Sequence, residues 1–175
     1  SECIPNFQQL CQKSPIRATK TVRVTMDSVA KLLRNIPYLK VIHLIRDPRP
    51  VVLSRSKAYT FKGKNSGDNM TNEASLYCSR VLKDVLLRKE MEKRLPDNFL
   101  EVIYEDFVHR PFSQAQRIYD FIGHEMHPDT LQWFITASNQ SESIARAWKD
   151  KIVYNEYEQI GIVCKDLLKE LKLHI

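Results

Sequence analysis

Basic and hydroxyl side chains are concentrated between residues 46 and 55, directly after an apolar run. Asp47 and Pro48 are typical of the cap and first position of a helix, which places Arg46 between the end of a strand and a helix N-terminus. Such an arginine binds anions well, because its guanidinium and the helix dipole attract negative charge and the free N–H groups expected in the first helical turn can donate to it. Ser54 follows about two helical turns after Asp47, where its hydroxyl could donate to the same anion. The spacing therefore favours an oxyanion site, and the alternative is an ordinary helix start in which Arg46 pairs with a carboxylate.

Two further groups of side chains could take part in chemistry. Lys20 and Arg23 lie on one predicted strand and are predicted to share a face that points toward an anionic group; a solvated edge is the alternative. Tyr104 follows another predicted strand and is either a ligand contact or a core tyrosine. Glu105 and Asp106 come next, and they either cap a helix or loop or supply a general base.

Strands and helices alternate along the chain and must position these residues. The predicted strands, from β-branched or nearly continuous apolar runs, cover residues 19–25, 40–45 and 99–104. The predicted helices cover residues 27–35, 46–58, 71–94, 111–122, a segment after Pro128, and 155–171. The predicted loops cover residues 1–18 and 59–69. This order predicts an α/β domain with a mostly parallel sheet flanked by helices, which binds its ligand at the carboxyl ends of the strands.

Two details of these elements can be checked directly. The run at 40–45 is apolar enough to predict a central strand that is covered on both faces. His43 is predicted to be a core or edge histidine whose hydrogen bonds are satisfied, and the alternative is a catalytic histidine. Asp27 is predicted to cap the helix that ends at Asn35.

Composition limits the class of protein. The chain has 175 residues, 43% of them apolar, and a formal charge of +6, which fits one globular domain with anionic partners. The charge alone does not choose among nucleic acid, glycan, nucleotide and acidic protein. The four cysteines match no zinc pattern and allow either buried thiols or two disulfides in three pairings: Cys3, Cys11, Cys78 and Cys164. Glycosylation sequons begin at Asn69 and Asn139, which is compatible with a secretory compartment.

The segment from Leu39 to Arg55, with the run Ile45-Arg46-Asp47-Pro48-Arg49-Pro50-Val51, resembles the 3′-phosphate-binding signature of Golgi carbohydrate sulfotransferases. The most similar group is the galactose/N-acetylglucosamine/N-acetylgalactosamine 6-O-sulfotransferases. Other segments of the chain also resemble this family, although Ile103 and Lys149 stand where arginine is usual: Lys20 to Arg23, Tyr77-Cys78, Val102 to Phe107, and Ala145 to Lys149. The resemblance thus covers nearly the whole chain.

This resemblance implies a P-loop-NTPase-like sulfotransferase fold and the donor 3′-phosphoadenosine 5′-phosphosulfate, with no metal. The reaction would transfer a sulfuryl group to a sugar hydroxyl, the 6-hydroxyl in the most similar group. By resemblance, Arg46 and Ser54 would hold the 3′-phosphate, and Tyr104 would contact the adenine. The other implied donor-site residues are Asp47, Pro48, Arg49, Arg146, Trp148 and Lys149. Arg49 could instead shape the turn or bind substrate. Lys20 and Arg23 are the candidates for catalytic contacts, and the base is not identified.

One departure from the family concerns its first strand and P-loop-like segment, Arg-Ser-Gly-Ser-Ser, which nothing in this chain matches. We therefore expect residues 1–175 to be the C-terminal portion of a sulfotransferase domain. The family implies a type II membrane protein of the Golgi lumen, anchored outside this chain, with a glycan or proteoglycan acceptor and no nucleic-acid partner. The alternatives are a non-catalytic anion- or nucleic-acid-binding module and an inactive sulfotransferase fragment.

Overall fold

The computed structural model describes residues 3–60, 66–137, 143, 145, 147–150 and 152–173. Within them the chain is α/β, with helices packed around a short parallel sheet. The helices are α1 (Cys3–Lys13), α2 (Met26–Asn35), α3 (Pro48–Thr60), α4 (Ser66–Arg94), α5 (Tyr104–His109), α6 (Pro111–Ile122), α7 (Pro128–Ala137), α8 (Tyr154–Val163) and α9 (Lys165–Glu170). The strands are β1 (Val41–Ile45) and β2 (Phe99–Ile103), and a 3₁₀ turn at Pro96–Asn98 precedes β2.

The two strands pair in parallel and in register, so that Ile45 of β1 lies beside Ile103 of β2. Helices α3 and α4 form the crossover between them. Because the strands run in the same direction, their carboxyl ends meet at one edge of the sheet. The residues that follow, Arg46 and Tyr104, therefore start from adjacent positions at that edge, as the sequence predicts.

A core cluster joins this edge to the helices. Ile45 and Val52 pack with residues from α4, α8 and α9: Met70, Ala74, Cys78, Val85, Ile160, Cys164, Leu167 and Leu168. Cys78 and Cys164 form a disulfide within this cluster, with 5.4 Å between their Cα atoms. Cys11 is a free and exposed cysteine. The structure thus shows a disulfide between Cys78 and Cys164 rather than two buried thiols, and with Cys11 free it does not form the two-disulfide pattern.

The exposed face of β1 contradicts the prediction of a strand covered on both sides. Ile42 is 41% exposed and Leu44 is 60% exposed, whereas Ile45 is buried. Apolar content predicts that a strand tends to be buried, but the elements that pack on it decide whether a given face is covered.

His43 is half-buried, and its Nδ1 is a buried atom without a hydrogen-bond partner among the described residues. The expectation that its hydrogen bonds are satisfied is therefore wrong for this atom. Burial, together with the nearby Arg88 guanidinium, lowers the pKa of His43 to about 4, although Glu101 acts in the opposite direction. His43 is consequently neutral near pH 7. Arg88, whose side chain is almost fully buried, pairs with Glu92 and Glu101.

Several element boundaries differ from the predictions. Residues 3–13 form α1 rather than a loop, and residues 19–25 are irregular rather than a strand. The latter segment is rich in β-branched residues, but β propensity needs a neighbouring strand with which to pair. Residues 59–60 and 66–69 are helical rather than loop, and 61–65 lie outside the described residues.

Two further differences concern the start of α2 and the division of the last predicted helix. Thr25, not Asp27, caps α2, because its Oγ1 accepts the Ser28 N–H at 3.4 Å. The predicted helix at 155–171 is divided at Cys164 into α8 and α9. The disulfide thus lies at the junction of these two helices.

Candidate anion site at the strand ends

The Arg46 guanidinium lies over the ring of Tyr104, with 4.4 Å between its Cζ and the ring centroid. Arg46 comes directly after β1 and Tyr104 directly after β2, so the parallel register brings the two side chains together. Arg46 Nε is buried and has no hydrogen-bond partner among the described residues. A buried guanidinium N–H without a partner is rare, and it suits an acceptor that the described residues do not provide.

The first turn of α3 differs from the expected cluster of free N–H groups. The Asp47 N–H donates to Glu105 Oε1 at 3.1 Å, and the Arg49 N–H donates to Asp47 Oδ1 at 2.9 Å. Pro48 and Pro50 have no N–H. The protein's own carboxylates therefore occupy the backbone donors of residues 47–50, and an anion at this edge would depend on side chains.

Arg49 is buried in a cage of side chains. Its Nε and Nη2 donate to the Asp47 carboxylate, with 2.7 Å between Nη2 and Oδ2, and its Nη1 donates to the Tyr157 hydroxyl at 2.5 Å. The guanidinium carbon lies 4.8 Å from the Tyr157 ring centroid and 5.9 Å from that of Trp148. Burial acts to lower the pKa of Arg49, but the Asp47 hydrogen bonds and charge raise it above its usual value. The cage ties the start of α3 to α8 and to the turn at 147–150.

Glu105 connects the two strand ends. Its Oε1 accepts the Asp47 N–H, and its Oε2 is buried without a hydrogen-bond partner among the described residues. Burial raises the pKa of the Glu105 carboxyl, and the negative charge of Asp47 adds to this, whereas the hydrogen bond from Asp47 and the charge of Arg46 act in the opposite direction. These contacts support a capping role for Glu105, at the turn between β1 and α3, over the role of a general base.

The raised pKa of Glu105 gives a prediction for stability. A carboxyl with a raised pKa holds its proton more tightly in the folded than in the unfolded protein, so the free energy of unfolding falls as the pH rises through that interval. Glu105→Gln keeps an acceptor for the Asp47 N–H and carries no charge. We expect the variant to be more stable than the wild type at pH 7, with the advantage disappearing near pH ~4. Urea unfolding between these pH values tests this, and a difference independent of pH would contradict it.

The remaining predicted site residues are less closely associated with Arg46. Ser54 is exposed on α3, and Lys149 is exposed in the turn that contains Trp148. Lys20 and Arg23 are exposed on the irregular segment before α2, and at three residues apart they would not share a face even in a strand. Arg146 and the sequon at Asn139 lie outside the described residues.

Tyr157, a side chain near the site, has no local sequence signal. It completes the Arg49 cage from α8, and the two residues are 108 positions apart, so spacing along the chain does not reveal the contact. Arg55 lies over the ring of Tyr77, which is on the next helix, α4.

The described residues contain neither a metal-binding cluster nor a membrane-spanning helix. No three or more His, Cys, Asp or Glu side chains there are grouped in a way that could hold a metal ion. No helix in the described ranges combines the length and the apolar character needed to span a bilayer.

The chain is thus an α/β protein with a partly buried arginine, Arg46, at the carboxyl ends of two parallel strands. The Nε of this arginine has no hydrogen-bond partner among the described residues. A sequence model of the sulfotransferase family matches residues 3–128, which is most of the chain. The chain therefore belongs to the sulfotransferase family, as its resemblance to that family predicts.

Individual relatives are carbohydrate sulfotransferases. Carbohydrate sulfotransferase 1 of Danio rerio is 24% identical over 188 residues, which cover 92% of this chain and 45% of the relative. Carbohydrate sulfotransferase 2 of Homo sapiens is 24% identical over 212 residues, which cover 92% of this chain and 40% of the relative. Carbohydrate sulfotransferase 3 of Tetronarce californica is 30% identical over 115 residues, which cover 60% of this chain and 26% of the relative. The chain thus spans less than half the length of these curated relatives. No solved structure matches the chain significantly.

Proposed function

We propose that this chain forms the 3′-phosphate side of the donor site of an enzyme that transfers a sulfuryl group from 3′-phosphoadenosine 5′-phosphosulfate to a sugar hydroxyl of a glycan. The 6-hydroxyl is the proposed acceptor position. The observation that carries the proposal is the buried Arg46 Nε without a partner, at the edge where parallel sheets bind ligands. Membership of the sulfotransferase family and the names of the relatives support the reaction class.

In the proposed site, Arg46 donates to the 3′-phosphate through charge-assisted hydrogen bonds, and Ser54 adds a hydroxyl. Tyr104, which supports Arg46 on its ring, borders the adenine. The start of α3 is shaped by Asp47, Pro48 and Arg49, and Trp148 approaches Arg49 from the turn at 147–150. Lys149, which is exposed in the same turn, also belongs to the proposed set. Arg146 belongs to the same proposed set. Lys20 and Arg23 stay candidates for contacts with the transferring group or with an anionic glycan.

The proposed reaction breaks the bond between sulfur and the 5′-phosphate oxygen, and a new bond forms between sulfur and the sugar oxygen. The sugar hydroxyl loses its proton to a base that these contacts do not identify, because both Glu105 and Asp106 have other partners. The 3′-phosphate does not react. Its binding energy helps to orient the reacting end of the donor, which lies elsewhere in the site.

The proposal extends to the whole protein. We infer that residues 1–175 are the C-terminal part of a sulfotransferase domain in a type II membrane protein of the Golgi lumen, with its anchor outside this chain. The Cys78–Cys164 disulfide supports an oxidising compartment. The proposed partner is a glycan or proteoglycan, with no nucleic acid and no metal.

Calorimetric titration of the chain with adenosine 3′,5′-bisphosphate and with adenosine 5′-monophosphate tests the donor site. The proposal expects tighter binding of the bisphosphate, because the two ligands differ only in the 3′-phosphate. Equal affinities would reject it. A nucleic-acid-binding module would instead bind oligonucleotides with a steep salt dependence and show no such preference. An inactive fragment would prefer the bisphosphate but transfer no sulfate in an assay with labelled donor and glycan.

Arg46→Ala should lower the affinity for the bisphosphate about 10- to 100-fold and leave the affinity for the monophosphate unchanged. The estimate follows from hydrogen bonds to a charged group, which contribute about 1.5–3 kcal/mol. Arg94→Ala is the matched control, because Arg94 is an exposed arginine that pairs with Glu90 at the surface. An unaltered preference in Arg46→Ala would remove Arg46 from the proposed site.

A further inference from the structure

We infer that Tyr77 determines specificity in the donor site, by donating its hydroxyl hydrogen to the same 3′-phosphate as Arg46. This inference rests on the proposed function. It adds to the strand-end residues a neutral donor from α4.

Packing places Tyr77 beside the strand ends. Tyr77 is partly buried against the core cluster that contains Ile45, and Ile103 packs against the same cluster. These are the last residues of β1 and β2, and Arg46 and Tyr104 follow them directly. Tyr77 thus packs against the cluster that includes the end of β1, and the charges of Arg46 and Glu105 at the strand ends both act on its phenol.

A second arginine fixes the Tyr77 ring. The Arg55 guanidinium carbon lies 4.9 Å from the ring centroid, and Arg55 Nη1 donates to Glu73 Oε1 at 2.8 Å. The Glu73 side chain is only 14% exposed, so this ion pair is held against the protein. Arg55, which is itself fixed by Glu73, thus packs on one face of the Tyr77 ring. The Tyr77 hydroxyl forms none of the described hydrogen bonds.

The charges around Tyr77 suit an anion. Burial raises the pKa of the Tyr77 phenol, against the effect of Arg55, Arg80 and Arg46, and Glu105 adds to the increase. The hydroxyl therefore stays protonated at neutral pH and can donate. Three cations and one carboxylate act on this hydroxyl, which gives a phosphate at the same place a net favourable field.

The disulfide holds this part of α4 in place. Cys78, the next residue after Tyr77, is bonded to Cys164 at the junction of α8 and α9. A donor that is already held in position loses little conformational entropy when a ligand binds. The contact with Arg55 and the disulfide at the neighbouring residue thus both restrict the position of Tyr77.

Tyr77→Phe tests the inference, because it removes the hydroxyl and keeps the ring beneath Arg55. We expect the affinity of the chain for adenosine 3′,5′-bisphosphate to fall about 10-fold, with the affinity for adenosine 5′-monophosphate unchanged. Tyr154→Phe is the control, because Tyr154 is exposed and its hydroxyl donates to Glu158. It should change neither affinity. A thermal melt of each variant confirms that it is folded.

The combined variant adds a second readout. If Tyr77 and Arg46 bind one phosphate, the effects of Tyr77→Phe and Arg46→Ala on bisphosphate affinity should not be additive. A Tyr77→Phe protein that keeps the full preference, or that loses affinity for both ligands equally, would overturn the inference and leave the proposed function standing. A wild-type chain without any preference for the bisphosphate would overturn the proposed function itself.

Discussion

Removal of the disulfide should lower the free energy of unfolding by about 4.5 kcal/mol. The bond between Cys78 and Cys164 closes a loop with a sequence separation of 86. Loss of that constraint increases the entropy of the unfolded chain by an amount that grows with the logarithm of loop length. Urea unfolding of the Cys78→Ala/Cys164→Ala protein, compared with the wild type under non-oxidising and oxidising conditions, measures the change.

The chain has its own control for this experiment. Cys11 is exposed and not disulfide-bonded, so Cys11→Ala should leave the unfolding midpoint unchanged. Reduction of the wild type should reproduce the effect of the double substitution. A wild type with the same midpoint with and without reductant would show that the bond does not form in solution.

Asp47→Ala should destabilise the protein by about 3–5 kcal/mol, because it leaves a buried arginine without its counter-ion. The side chains of Asp47 and Arg49 are each 7% exposed, and the substitution also removes the acceptor for the Arg49 N–H. Asp27→Ala provides the comparison, since Asp27 pairs with Lys83 in solvent and its loss should change stability far less.

A double substitution separates the charge from the packing. Asp47→Ala/Arg49→Met removes both charges and keeps an unbranched apolar chain between Trp148 and Tyr157. We expect it to recover much of the stability that Asp47→Ala loses, as measured by urea unfolding. If both variants were equally unstable, the loss would come from the turn geometry and not from removal of the Asp47 carboxylate beside a buried guanidinium.

The elements nearest the site were the most predictable. β1 and β2 were recognisable from short apolar and β-branched runs, and α4 from a long apolar stripe, because each pattern is local to its own segment. Residues 19–25 carry a similar pattern and are irregular, because a strand also requires a partner. Helix α1 was missed because residues 1–18 are polar and contain two prolines, which favoured a loop, although Ile4, Phe7 and Cys11 recur at helical spacing.

The candidate site was predictable only where it is contiguous in the chain. Arg46 and Asp47 were recognised because they follow a predicted strand directly, and the position of Tyr104 followed from the same rule. The free N–H groups expected at the start of α3 are absent at residues 47–50, since Glu105 and Asp47 accept two of them and two residues are proline. The sequence did not indicate that these carboxylates would fold back on the turn.

The sequence by itself determined the α/β class, the two strands and the place of Arg46 at a strand end, because these depend on neighbours within a few residues. Only the tertiary structure decided the partners. Asp47 meets Glu105 across 58 residues, Cys78 meets Cys164 across 86, and Arg49 meets Tyr157 across 108. Such contacts depend on how whole helices pack against the sheet, and that packing depends on the shape of a core assembled from distant segments.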